Sequence, residues 1–169
     1  MGPDGIIFPM VKSYDDAISL IDMTLYPPLG TRGFGPMRAI CYGQTDTQAY
    51  TDSQSAPLCR FIQIEHIDAI KNLDGILEVP GVDSFCIGPC DLSGAMGIPN
   101  QTADPELNRI IDEAAAKIKK AGKWLGTAAG DFPRWKERGD DWFAGISDWG
   151  AMAAGIRAFK AECDKVREV

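Results

Sequence analysis

Five short apolar runs, each followed by a segment patterned as a helix, constrain this chain more than any other feature. The runs are Gly5–Met10 (GIIFPM), Pro57–Glu65 (PLCRFIQIE), Val82–Ile87 (VDSFCI), Trp124–Ala128 (WLGTA) and Trp142–Ile146 (WFAGI). Each has the length and apolar character of a strand buried on both faces. Between them lie helix signals. Ser13 with Asp16 forms a capping-box pattern ahead of Ala17, Ile18, Ile21 and Leu25, and Tyr26-Pro27-Pro28 stops that helix. Residues 26–45 read as a long loop. Ile67, Ile70, Leu73 and Leu77 mark a helix after the second run, and Asp91–Met96 a short one after the third. Asp104-Pro105 opens a longer helix with Leu107, Ile110, Ile111, Ala114 and Ile118 on one face, and Gly122 closes it. Phe132–Arg138 and Ala151–Arg167 complete the series.

Strict alternation of strand and helix predicts an α/β fold with a parallel sheet. The 169 residues then form one domain, 1–169, either an open sheet or part of a (β/α)8 TIM barrel. A complete barrel needs eight units and about 250 residues, so five units make only a partial one.

Charge and composition exclude several partners. The net charge is −7 and no Lys/Arg-rich run occurs, which argues against nucleic acid and anionic membrane. No apolar run approaches the roughly 18 residues of a membrane span. The start, MGPDGIIFPMVK, has neither a basic region nor a cleavage site, so no signal peptide is expected. The five cysteines lack C-x-x-C spacing. That pattern predicts free thiols in a reducing cytoplasm and argues against zinc.

The chemistry concentrates at two strand ends. Side chains alternate along a strand, so Phe61, Gln63 and Glu65 share a face. Two polar groups on one side of an apolar strand belong at its C-terminal end, where parallel α/β folds collect functional groups. Asp91, in GPCDLSG (88–94), follows the neighbouring strand. Glu65 and Asp91 could therefore face each other. Two oxygen ligands without His or Cys suit a hard divalent ion such as Mg²⁺. Gly88 lets backbone approach a ligand, and first-turn N–H groups around Cys90 and Asp91 would receive a carboxylate. A small 2-oxo acid fits such a seat. Plainer readings stand beside these: Asp91 as a helix N-cap, Glu65 paired with Arg60, Gln63 as a core amide. His66, the only histidine, points away from Glu65 by alternation and reads as a helix-start residue.

YPPLGTRGFGP (26–36), IQIEHIDAIKNLDGIL (62–77) and VPGVDSFCIGPCDLSGAMG (79–97) together resemble the HpcH/HpaI aldolases, the class II metal-dependent pyruvate aldolases. The resemblance extends to GKWLGTA (122–128). It implies that Glu65 and Asp91 ligate a divalent metal ion, Mg²⁺, Mn²⁺ or Co²⁺. It implies that Gln63 contacts substrate and that Cys90 offers its N–H to the pyruvyl carboxylate. The implied reaction is reversible aldol cleavage of a 4-hydroxy-2-oxo acid to pyruvate, or a close 2-oxo acid, and an aldehyde. The family fold is an eight-stranded barrel, and this chain resembles its last five βα units. The family's catalytic His and its pyruvyl-binding Arg lie in the first three units, so no catalytic residue is identified here.

An open arc of strands leaves two edges and an inner face uncovered, which predicts a homo-oligomer. Arg32 and Arg38, in the long loop, are candidates for the distal part of a substrate or for a subunit interface. Two other functions are kept in view. One is a citrate-lyase β-like CoA-ester lyase. The other is a non-catalytic remnant that binds metal or an oxo acid.

Overall fold

The structure is a computed structural model, and it describes residues 3–53, 58–128, 131–145 and 147–167. Its centre is a five-stranded parallel sheet in which the strands lie side by side in chain order. β1 spans Gly5–Phe8, β2 Cys59–Ile64, β3 Ser84–Ile87, β4 Trp124–Thr127 and β5 Trp142–Phe143. Ile7 pairs with Phe61, Phe61 with Ser84, and Ser84 with Trp124. A sheet whose order never reverses places all its right-handed crossovers on one side. It therefore curls as the arc of a barrel instead of forming a doubly wound sheet.

The helices α1 (Tyr14–Asp22), α2 (Thr47–Ser53), α3 (Ile67–Lys71), α4 (Leu73–Leu77), α5 (Pro89–Ala95), α6 (Pro105–Lys120), α7 (Phe132–Glu137) and α8 (Asp148–Arg167) connect the strands. Ile62, Ile64, Phe85, Ile87 and Leu125 point from the strands into the helical layer. They meet Leu73 and Ile76 of α4, Leu92 of α5, Leu107, Ile111 and Ile118 of α6, and Trp135 of α7. These side chains are essentially out of water, and each contributes about 1.5–3 kcal/mol of burial.

Local chemistry explains the element boundaries. Ser13 Oγ accepts from Asp16 N, and Asp16 Oδ2 in return accepts from Lys12 N, so α1 opens where expected. It ends at Asp22 instead of running on to Leu25, because Thr24 N and Leu25 N turn back to Ile21 O and Asp22 O. Asp104 Oδ1 accepts from Leu107 N, with Pro105 in the first turn of α6. Gly122 follows with φ +71°, a left-handed conformation that glycine adopts without cost.

Three further expectations need correction, and one element carries no sequence signal. The segment after β2 is two helices, broken at Asn72, whose Nδ2 donates to Lys12 O. Helix α2 has no counterpart in the sequence pattern. Asp46 caps it through Ala49 N, but none of its residues is buried, so no apolar period marks it. α8 starts at Asp148, ahead of Ala151, because Ser147 Oγ accepts from Gly150 N. The edge strands are not buried on both faces: Ile6, Ile7 and Phe143 are 36–41% exposed. Ile7 shares the inner face with Phe61 and Trp142, where an apolar hollow of about 560 Å³ opens between Ile7, Phe61, Trp124, Asp141 and Trp142, whereas Ile6 and Phe143 lie on the opposite face. The expected strand ends at Pro57 and Ile146 lie outside the described residues.

Candidate metal site

The C-terminal ends of β2 and β3 bring Glu65, Gln63 and Gly88 together. Gln63 pairs with Cys86 and Ile64 with Ile87, so Glu65 and Gly88 are the next residues along adjacent strands. Glu65 is buried at 2% exposure. Its Oε1 accepts from Met10 N at 2.7 Å and its Oε2 from Gln63 Nε2 at 2.5 Å. Burial pushes the Glu65 carboxyl up. The Met10 N–H pulls it back, and the neighbouring Asp91 carboxylate, close enough to share a hydrogen bond, raises it again.

Gly88 is glycine for a steric reason. A Cβ there would stand 2.8 Å from Glu65 Oε2 and 2.9 Å from Gln63 Nε2, closer than carbon approaches either atom. Gly88 is also the N-cap of α5. Pro89 has no N–H, and the N–H groups of Cys90 and Asp91 fall in the first turn, where no intrahelical acceptor exists. Both residues are solvent-exposed.

Two carboxylates side by side repel each other unless a proton or a cation stands between them. Among the described residues, no Lys or Arg forms an ion pair with Glu65 or Asp91. No third His, Cys, Asp or Glu joins them either. The pair therefore fits a hard divalent cation that takes two protein oxygens and leaves its other positions open.

Other expected residues fall elsewhere. Arg60 does not pair with Glu65. It is buried, donates from Nε to Thr24 Oγ1 at 2.6 Å, and its backbone N–H donates to Asp83. His66 is the N-cap of α3, its Nδ1 accepting from Asp68 N at 3.1 Å. Arg32 stacks on the Tyr26 ring at 4.4 Å, within a cluster that includes Phe34 and Tyr50. Arg38 is exposed. Met10 is the residue that sequence reasoning missed, because it acts through its backbone.

A parallel strand arc with helices on one face and an acidic pair at its strand ends defines a protein of the α/β-barrel class. A family model described as HpcH/HpaI aldolase/citrate lyase matches residues 1–145, and the chain belongs to that family. The 2-keto-3-deoxy-L-rhamnonate aldolases of Salmonella paratyphi B (strain ATCC BAA-1250 / SPB7) and Salmonella typhi are 40% identical to it over 133 residues. That stretch is 78% of this chain and 49% of theirs, so the chain spans about half the length of the curated relatives it matches. A family protein from Burkholderia cenocepacia J2315 superposes with a TM-score of 0.84 at 26% identity, over 98% of this chain and 66% of that one. The HpcH/HpaI aldolase from Desulfitobacterium hafniense DCB-2 gives 0.76 at 27% identity, over 99% and 64%. The five-stranded arc is thus part of a TIM barrel. No helix among the described residues is long and apolar enough to cross a membrane.

Proposed function

We propose that the chain carries the metal-binding half of a class II aldolase site, serving reversible cleavage of a 4-hydroxy-2-oxo acid to pyruvate, or a close 2-oxo acid, and an aldehyde. The observation that carries this reading is the Glu65–Asp91 pair at adjacent strand ends, with Gly88 bare beside Glu65. The relatives named as aldolases support it. Glu65 and Asp91 would hold Mg²⁺, Mn²⁺ or Co²⁺. When bound, the ion supplies Lewis-acid stabilisation of an enolate oxygen. Gln63 fixes Glu65 through its Nε2 and keeps its amide oxygen for a substrate hydroxyl. The first-turn N–H groups at Cys90 and Asp91 would receive the substrate carboxylate.

The test is pyruvate release from 4-hydroxy-2-oxo acids, with and without Mn²⁺, by the chain and by Glu65→Ala and Asp91→Ala. Metal-dependent release that each substitution lowers by about 100-fold or more supports an assembled site. A second reading stands beside it: a domain that binds metal and oxo acid without turnover would bind Mn²⁺ and release no pyruvate. Stimulation by an acyl-CoA would instead favour a CoA-ester lyase.

Self-association with a second copy is part of this proposal. α8 carries Trp149, Met152, Ile156, Phe159 and Val166 on one stripe, each 62–77% exposed, and among its described side chains none is buried. Five such groups bring on the order of 600 Å² of apolar surface, near the ~800 Å² one partner gives a stable interface. A two-fold pairing lets the same stripe cover itself. The five free cysteines suit the reducing cytoplasm.

A further inference from the structure

Met10 has a backbone that a methionine rarely adopts. Its φ is +57°, in the left-handed region where a Cβ crowds the following carbonyl. The conformation has a visible result: it turns the Met10 N–H into the mouth of the sheet, 2.7 Å from Glu65 Oε1. The side chain takes no such part, being 47% exposed.

The chain on both sides of Met10 is pinned. β1 ends at Phe8, paired with Ile62. Val11 is buried at 1% exposure. Lys12 N donates to Asp16 Oδ2, and Lys12 O accepts from Asn72 Nδ2. Core packing and two hydrogen bonds therefore hold the turn in place, and strain persists where surrounding structure over-determines it. On the other side of Glu65, Gln63 Nε2 donates to Oε2, and Gly88 carries no Cβ that would push the carboxylate out of place. A carboxylate has about four lone-pair positions, so one donor on each oxygen fixes its plane and leaves two positions free.

We propose that the Met10 backbone N–H is a positioning group for the metal site, locking the Glu65 carboxylate so that its free lone pairs face Asp91. The proposal rests on the metal reading above and assigns to the turn after β1 a share in a site whose side chains come from the end of β2 and from α5. Groups that orient a ligand from behind typically change metal affinity by about 10–100-fold when removed.

The test is Mn²⁺ affinity, read from the loss of the free-ion paramagnetic resonance signal, with thermal midpoints recorded alongside. Four full-length chains are compared: the unaltered one, Glu65→Gln, Met10→Ala, and one in which the Pro9–Met10 amide is an ester. The last deletes only the N–H and is accessible by ligating a synthetic 1–40 segment at Cys41. Met10→Ala should bind like the unaltered chain, and the ester chain about tenfold or more weaker at a similar midpoint. An ester chain that binds as tightly as the unaltered one overturns the Met10 proposal alone. An unaltered chain that binds no Mn²⁺, or binds it equally after Glu65→Gln, overturns the metal reading and this proposal with it. Should the ester chain not fold, the Met10 amide proton decides. Its exchange should slow on saturation with Mg²⁺ while that of Ile111 in α6 does not, and no change at Met10 overturns the proposal.

Discussion

Asp140 is buried at 3% exposure, and both its carboxylate oxygens lack a hydrogen-bond partner. Burial pushes this carboxyl up to about 6, against the pull of Arg138, Lys119 and Lys136 and with a push from Asp141. A carboxyl raised in the folded state is protonated more readily there than in the unfolded chain. Its contribution is therefore fully present below the unfolded value near 4 and lost as pH rises through about 6. Asp140→Asn should raise stability at pH 7.5 by about 1–3 kcal/mol and change little at pH 4, as chemical denaturation at the two pH values would show. The residues of the candidate site and of the core differ sharply in legibility. Glu65, Asp91 and Gly88 could be placed from strand alternation and a Gly-Pro turn, because side-chain identity carried the signal. Met10 and Asp140 could not. One works through an N–H every residue has, and the other's burial depends on packing that no local pattern records.

At the level of elements, β5 shows how a two-residue strand is kept in register. Trp142 lies across Gly126 of β4, donates from Nε1 to Ser84 Oγ of β3 at 2.8 Å, and meets Phe61 of β2 edge-on at 5.2 Å. One indole thus fastens three strands on the inner face. Any Cβ at position 126 would run into the ring. Gly126→Ala should expel the indole, lower stability by about 1–3 kcal/mol, and shift tryptophan emission to the red, measured by thermal melts and fluorescence. Elements with a cap and a long apolar period, α1 and α6 above all, were readable in advance. α2 had a cap but no buried face, and the break at Asn72 arises from a contact with Lys12 sixty residues away, which no local window contains.

The molecule as a whole keeps its helices on one face of the sheet and leaves the other partly open. Sequence alternation established the parallel α/β class but left open sheet and barrel arc unresolved, since both obey the same local pattern. Strand order decides between them, and it is a property of the assembled sheet. The apolar stripe on α8 has its consequence at this scale. We expect the chain to sediment as a dimer or larger species at micromolar concentration. Phe159→Asp, altering a side chain that is 70% exposed, should shift it to monomer, with sedimentation velocity as the measurement. A monomeric unaltered chain would remove the case for pairing through α8.

Because the strands lie in chain order, Glu65 and Asp91 belong to a single βαβ unit, β2 through α5. Their neighbourhood does not depend on closing a circle or on bringing distant ends of the polypeptide together. Loop-closure entropy grows with the length of chain enclosed, so a pair carried by one compact unit is among the cheaper parallel pairings to form. The acidic pair is in this sense portable. Fusion, division or circular permutation of the barrel at a strand edge would carry both carboxylates along together, with the bare Gly88 that leaves room for Glu65 and Gln63.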